Sequence, residues 1–231
     1  MKSNAVYIIP DRSVFNLDLI KDFENFNKAD SLLLCSTLYM NLVENFIGRK
    51  FKADIYCILD ELDKEFISNE LKNTEIKILF DNISNKKKLF DKLAAKEFSL
   101  HKNNLIIFSN IMGINLIDVE KYFKLLNIED ESLLIGRSKD NCVVILGFNN
   151  YSEEVFTNLL NVNFNYDELL IKLSSLNYFI HTTKDILSIN NLSDFKELYT
   201  DLSKKKSIEY CSQQMHEKFT HLFVEYKDLL K

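Results

Sequence analysis

The residues with chemistry to offer stand at the ends of apolar runs. Leu105 to Phe108 is a continuous apolar stretch that stops at Ser109 and Asn110 and turns at Gly113. Such a run, without polar alternation, reads as a strand buried on both faces of a parallel sheet. Ligands bind just past the carboxyl ends of strands in such sheets, which is where Ser109 and Asn110 would sit. Asp140 lies in the short turn Ser138-Lys139-Asp140 between two further strand-like runs. It is the best single carboxylate for a site, with a turn-forming Asp as the plain alternative. Arg137, just before that turn, has the fork geometry to grip a phosphate through two parallel hydrogen bonds, or it is an exposed loop arginine. Asp60, Glu61 and Asp63 cluster after another strand. They offer oxygens to a cation, although a solvated loop leading into a helix N-terminus explains them better.

Other chemistries are excluded by what is missing. His101, His181, His216 and His221 show no zinc-ligand spacing. Ser109 has no nearby histidine in sequence and no Gly-x-Ser-x-Gly elbow. Gly48-Arg49-Lys50 lacks the glycine spacing of a phosphate-binding loop, and no Gly-x-Gly-x-x-Gly occurs. With 4 Gly and 1 Pro in 231 residues, most glycine loops that cradle phosphate are ruled out, since they need glycine at close approach or positive φ. The net charge is −5, with acids and bases mixed along the chain. The basic clusters Lys86-Lys87-Lys88 and Lys204-Lys205-Lys206 are short and read as solvated helix ends, so no nucleic-acid partner is expected. Cys35, Cys57, Cys142 and Cys211 are far apart and have apolar neighbours, which predicts buried free thiols. No signal peptide precedes the first strand-like run and no apolar run reaches membrane-spanning length, so a cytoplasmic location without a membrane span is expected.

The positioning elements follow from periodicity. Strands are predicted over Ala5–Ile9, Ala53–Leu59, Glu75–Phe80, Leu105–Phe108, Ser132–Arg137, Asn141–Phe148 and Tyr178–Thr182. Helical spacing marks Leu17 to Phe26, then a long helix capped near Asp30-Ser31 and ended by Gly48. The start of that helix, Leu32 to Leu34, also reads as a strand. Further helices are predicted over Asp63–Leu71, Asn85–Phe98, Leu116–Leu126, Glu153–Asn161 and Tyr166–Leu176, and after an Asn191 cap with Asp194 three residues on. Ile208 to Leu230 repeats apolar positions as an amphipathic helix, which packs on its own domain or mediates homo-oligomer formation. Helices between successive strands mean βαβ crossovers, and the hairpin at 138–140 makes the sheet mixed. The expected fold is a three-layer α/β/α domain over 1–205, with a C-terminal helical extension over 206–231.

Three segments, in order, resemble a family. Phe108-Ser109-Asn110-Ile111-Met112 stands where that family has Gly-Ser/Thr-Asp-x-Pro at a strand end. The run from Gly136 to Gly147, with Asp140 within it, stands where it has Gly-Pro-Ala-x-Asp-Gly-Gly-Tyr-Tyr-Leu-Ile-Gly. Ser188-Ile189-Asn190-Asn191-Leu192-Ser193-Asp194-Phe195 stands where it has Asp-Val-Asp-Thr-x-x-Asp-Leu. The chain thus resembles the bacterial glycosyltransferase-like proteins related to 2-phospholactate guanylyltransferase, of GT-A (nucleotide-diphospho-sugar transferase) fold. The resemblance spans most of residues 5 to 205 and keeps Gly136, Asp140, Gly147 and Asp194.

The resemblance implies a nucleotide or nucleotide-sugar site at the strand ends, with Ser109, Asn110, Arg137 and Asn190 as nucleotide-binding candidates and Asp140 as the catalytic one. It also implies Mg²⁺ or Mn²⁺ in an active enzyme, neutralising a donor diphosphate. Asn110 and Asn190 replace two motif aspartates, and an asparagine carbonyl brings no charge to a cation. The basic loop that follows the family's first strand has no counterpart around Pro10-Asp11-Arg12. Two readings stand. One is a glycosyl- or nucleotidyltransferase-like protein; the other is an inactive relative that binds or scaffolds, assembling through its C-terminal helix.

Overall fold

The computed structural model describes residues 3–47, 51–67, 71 and 75–230. In chain order the strands are β1 (Asn4–Ile9), β2 (Ala53–Asp60), β3 (Lys77–Asp81), β4 (Asn103–Phe108), β5 (Ile111–Met112), β6 (Ser132–Arg137), β7 (Val143–Phe148), β8 (Phe179–Thr182) and β9 (Leu187–Ser188). The helices are α1 (Lys28–Glu44), α2 (Lys86–Lys96), α3 (Leu116–Leu126), α4 (Glu153–Asn161), α5 (Tyr166–Leu173), α6 (Leu192–Leu202) and α7 (Gln213–Glu225). A seven-stranded sheet runs β3-β2-β1-β4-β7-β6-β8. β7 is antiparallel to both β4 and β6, and the other pairings are parallel. β5 and β9 form a separate antiparallel pair.

The sheet is covered on both faces because its central strands are apolar on both. In β1, Val6 and Ile8 join α1 and α3 through Tyr39, Leu42, Val119 and Phe123. The alternate residues Ala5, Tyr7 and Ile9 join α2, α4 and α5 through Leu89, Phe90, Phe156 and Leu169. The period of two along a strand sends neighbours to opposite sides, and the result is the three-layer α/β/α arrangement with a mixed, mainly parallel sheet. Gly136 and Gly147 are explained by this packing. A Cβ on Gly136 would stand 2.9 Å from Ile145 Cβ, and one on Gly147 would stand 3.1 Å from Leu134 Cβ. In the β6–β7 hairpin Asn141 takes φ of 60°, a conformation that Asn tolerates better than most residues. The Ser138 N–H donates to the Cys142 carbonyl at 2.8 Å, which closes the turn and displays Asp140.

Several sequence expectations are corrected. Leu17 to Phe26 is not a helix but part of an irregular loop between β1 and α1. Contacts from outside the stretch hold the loop: just ahead of it Val14 and Phe15 N–H go to buried Asp63, and within it Phe23 N–H goes to Ser31 Oγ at 2.8 Å. α1 is capped by Asn27, whose side chain accepts from Asp30 N–H, not by Asp30-Ser31. Asp63 is not solvated; it is buried and accepts from Ser13 Oγ at 2.5 Å, while Asp60 accepts from Leu62 N–H. Lys86 leaves the solvated run expected for Lys86-Lys87-Lys88 and is largely buried. Cys142 is exposed and Cys35 half-buried, whereas Cys57 and Cys211 are buried, all as free thiols. α5 ends at Leu173, short of Leu176. The stop at Gly48 and residues 68–70 of the helix expected over Asp63–Leu71 lie outside the described residues, while Asp63 ends a 3-10 turn (Glu61–Asp63) and 64–66 form a turn, not an α-helix.

The terminal segment is broken rather than one helix from Ile208. A 3-10 turn (Lys205–Glu209) precedes α7, whose N-cap is Ser212, and a second turn (Lys227–Leu229) follows. Ile208 is exposed. Met215, Phe219, Leu222 and Phe223 of α7 pack with Leu34 and Leu38 of α1 and with α6. Tyr226 stacks on Phe26 at 3.8 Å between ring centroids and donates its hydroxyl to Asp30 at 2.7 Å. We therefore expect Phe219→Ala to cost about 3–5 kcal/mol in denaturant unfolding. Gly136→Ala is expected to cost about 1–3 kcal/mol in the same measurement, since the contacting Cβ cannot swing away.

Candidate functional site

β1 and β4 are neighbours, yet the chain leaves β1 toward β2 and β4 toward β6, in opposite directions along the sheet. Such a switch opens a crevice beyond the carboxyl ends of the two strands. A cavity of about 420 Å³ lies there. Asp11 and Arg12 after β1, Ser109 and Asn110 after β4, and Cys35 and Leu38 of α1 line it. The loop from 10 to 27 forms another wall, with Lys21, Asp22 and Glu24 facing the space. Ser109 is buried and held in place by its N–H, which donates to the Ile9 carbonyl at 3.1 Å.

The structure brings three of the candidate residues together. Asn110 Nδ2 donates to Asn190 Oδ1 at 2.5 Å. Asn190 Nδ2 donates to Ser188 Oγ at 3.1 Å and, more loosely, to Asp140 Oδ2 at 3.4 Å. The short β5–β9 pair sets up this meeting: Ile189 N–H donates to the Asn110 carbonyl at 2.8 Å, just beyond the pair. Asp194 serves the backbone instead. It accepts from Asn190 N–H at 2.8 Å and from Asn191 N–H at 3.2 Å, completing the capping box of α6. Burial pushes the Asp194 carboxyl up and nearby Asp140 adds to that, against the two N–H groups that favour its charged form.

Arg137 is not part of this group. Its Nε donates to Asp185 Oδ1 at 2.6 Å, and its guanidinium lies 5.4 Å from the centre of the Tyr166 ring. Lys139, beside Asp140, is paired with Glu197. Both cations of the hairpin are thus held by carboxylates away from the cavity wall.

Two residues of the crevice carried little signal in the sequence. Asp11 lines the cavity, and its charge, behind the larger effect of burial, raises the thiols of both Cys35 and Cys142. Lys86, the first residue of α2, reaches the same strand end, where its Nζ donates to the Pro10 carbonyl at 2.9 Å. The available clues were the strand stop Pro10-Asp11-Arg12 and the Asn85 cap ahead of a lysine run.

A protein-held Mg²⁺ or Mn²⁺ does not fit this donor set. Asn110 and Asn190 are bonded to each other, and Asp194 is engaged by backbone N–H groups. Among the described residues no group of three or more His, Cys, Asp or Glu side chains is arranged to hold a metal ion. One carboxylate, Asp140, is a poor cage for a hard dication.

No family model matches the chain, and no curated protein matches its sequence. Solved structures do match. A protein provisionally described as a nucleotide-diphospho-sugar transferase from Desulfovibrio desulfuricans G20 aligns over 100% of this chain and 97% of its own, with TM-score 0.73 and 14% identity. A cytidylyltransferase from Leptospira borgpetersenii aligns over 100% and 97%, with TM-score 0.52 and 10% identity. The 4-diphosphocytidyl-2C-methyl-D-erythritol synthase of Anaerococcus prevotii aligns over 96% of each chain, with TM-score 0.50 and 10% identity. The chain therefore has the GT-A-like fold of nucleotide-diphospho-sugar transferases and cytidylyltransferases.

Proposed function

We propose that this chain binds a nucleotide or nucleotide-sugar in the crevice beyond β1 and β4, as a transferase-like protein without a built metal site. The observation that carries the proposal is the cavity of about 420 Å³ at the point where the strand order switches, with Asn110 and Asn190 in its lining and Asp140 joined to it through Asn190. Pockets of this size suit a small organic ligand. Side-chain amides read donor and acceptor patterns on bases and sugars, while Arg12 and Lys21 offer charge to phosphate. The fold shared with nucleotide-handling transferases supports the same class of ligand.

Two versions of this function differ in the role of Asp140. In the first, Asp140 completes a metal ion brought in on the ligand's own phosphates, and glycosyl or nucleotidyl transfer follows. In the second, the protein binds without turnover. The second is favoured by the Asn110–Asn190 bond, which puts a neutral amide pair where the resembling family has aspartates. A binding protein of this kind could assemble through its terminal segment, and the outward residues Ile208 and Val224 are the ones free to do so.

The test is thermal unfolding with a panel of nucleoside triphosphates and nucleotide-sugars, with and without Mg²⁺ or Mn²⁺. A ligand that binds only the folded state raises the melting temperature, on the order of 5 °C at a hundredfold excess over Kd. A shift of equal size with and without the dication, unchanged in Asp140→Ala, supports binding without transfer. A metal-dependent shift lost in Asp140→Ala supports the transferase. No shift with any nucleotide removes both. For assembly, Ile208→Lys with Val224→Lys should lower the solution mass of any oligomer; an oligomer that persists at the same mass counts against the terminal segment.

A further inference from the structure

Lys86 is an unusual lysine. Its side chain is 14% exposed. Its Nζ donates to the Pro10 carbonyl at 2.9 Å and lies 6.0 Å from the centre of the Phe108 ring. The nearest paired carboxylate oxygen, on Asp11, stands 3.9 Å away, on a side chain that is 55% exposed. That is the outer limit of an ion pair, not a charge-assisted hydrogen bond. Burial pulls the ammonium down from its ordinary value, and Asp11 only partly opposes this. A buried ammonium wants full pairing, because removing a charge from water is costly without a close partner. Lys87 and Lys88, next on the same helix, show the alternative of an exposed position.

The place matters as much as the burial. Pro10 follows β1 and Phe108 ends β4, so Lys86 approaches the two strand ends that open the crevice, from the α2 side of the sheet. Asp11 connects the two sides, since the same residue lines the cavity. Through Asp11 the incomplete Lys86–Asp11 pair therefore adjoins the space in which a ligand would sit, with Lys86 itself behind the cavity lining. A ligand anion with more charge than one carboxylate could displace Asp11 and accept from the ammonium directly.

We infer that Lys86 is a positioning residue that holds the anionic group, a phosphate or polyphosphate, of a ligand bound at the switch point, with Asp11 as the counter-ion it displaces. The inference rests on the nucleotide reading for the rest of the ligand, but the anion contact can be tested apart from it. Trace acetylation of the wild-type chain with acetic anhydride, mapped by peptide mass spectrometry, is compared with and without inorganic tripolyphosphate. Lys86 should be protected about tenfold, the worth of one charge-assisted hydrogen bond, while Lys87 and Lys88 react at unchanged rates. Equal acetylation of Lys86 in both conditions overturns the inference and leaves the residue as a tether for the Pro10 carbonyl.

Variants provide the second arm. A nucleotide that stabilises the wild type should do so more than its phosphate-free nucleoside. In Lys86→Met that difference should vanish while the nucleoside effect persists, and Lys86→Arg should restore much of it. A nucleotide shift in Lys86→Met equal to that of the wild type overturns the inference. Protection of Lys86 by tripolyphosphate, together with no nucleotide shift in the wild type, leaves the anion site standing and removes the nucleotide reading.

Discussion

The structure depends on β1. It is hydrogen-bonded along both edges, to β2 and β4, and packed on both faces. A strand held on four sides has one free direction, out of its carboxyl end, and the chain there must satisfy its polar backbone without more sheet. Pro10 ends the ladder because it has no N–H to give. Its carbonyl is taken by Lys86, and the N–H groups of Val14 and Phe15 are taken by Asp63. Two buried ionisable side chains, one from each neighbouring connection, thus fix the path of the loop that walls the cavity.

The same constraint explains why the candidate site is polar but nearly uncharged at its centre. The end of β4 is joined to the segment after β9 through a backbone bond from Ile189 and a side-chain bond between Asn110 and Asn190. Two carboxylates at that separation would repel each other unless a cation lay between them. A pair of amides satisfies itself. The junction is therefore stable with nothing bound; Asp140 meets it through Asn190, and the charged residues Asp11, Arg12, Lys21, Asp22, Glu24 and Lys86 sit around it. Chemistry at this rim would have to draw its charge from those side chains and from the ligand.

The terminal segment belongs to the same mechanical unit. α7 covers the outer face of α1, whose inner face covers β1, and Tyr226 ties the end of the segment to the first turn of α1. The cavity wall formed by Leu34, Cys35 and Leu38 is thus supported from behind by Met215, Phe219 and Leu222. Changes in the last helix can reach the site through α1 without touching a ligand.

Local pattern determined the strands and most helices. Ala5 to Ile9, Leu105 to Phe108 and Leu116 to Leu126 are legible because burial on two faces, or on one helical stripe, writes its period directly into the sequence. Asn191 with Asp194 and the hairpin at Asp140 are legible because caps and turns are satisfied by neighbours in the chain. Tertiary structure alone decided the rest. Leu17 to Phe26 has helical spacing but lies in a loop, held by Asp63, which takes the N–H groups of Val14 and Phe15 just ahead of it, and by Ser31, which takes that of Phe23. Lys86 looked like its two neighbours until the fold placed it against Pro10 and Phe108. The meeting of Asn110 with Asn190 needed the β5–β9 pair, a contact too short to leave a pattern. Periodicity records which side of an element faces the core; it does not record which distant backbone or charge an individual side chain will meet there.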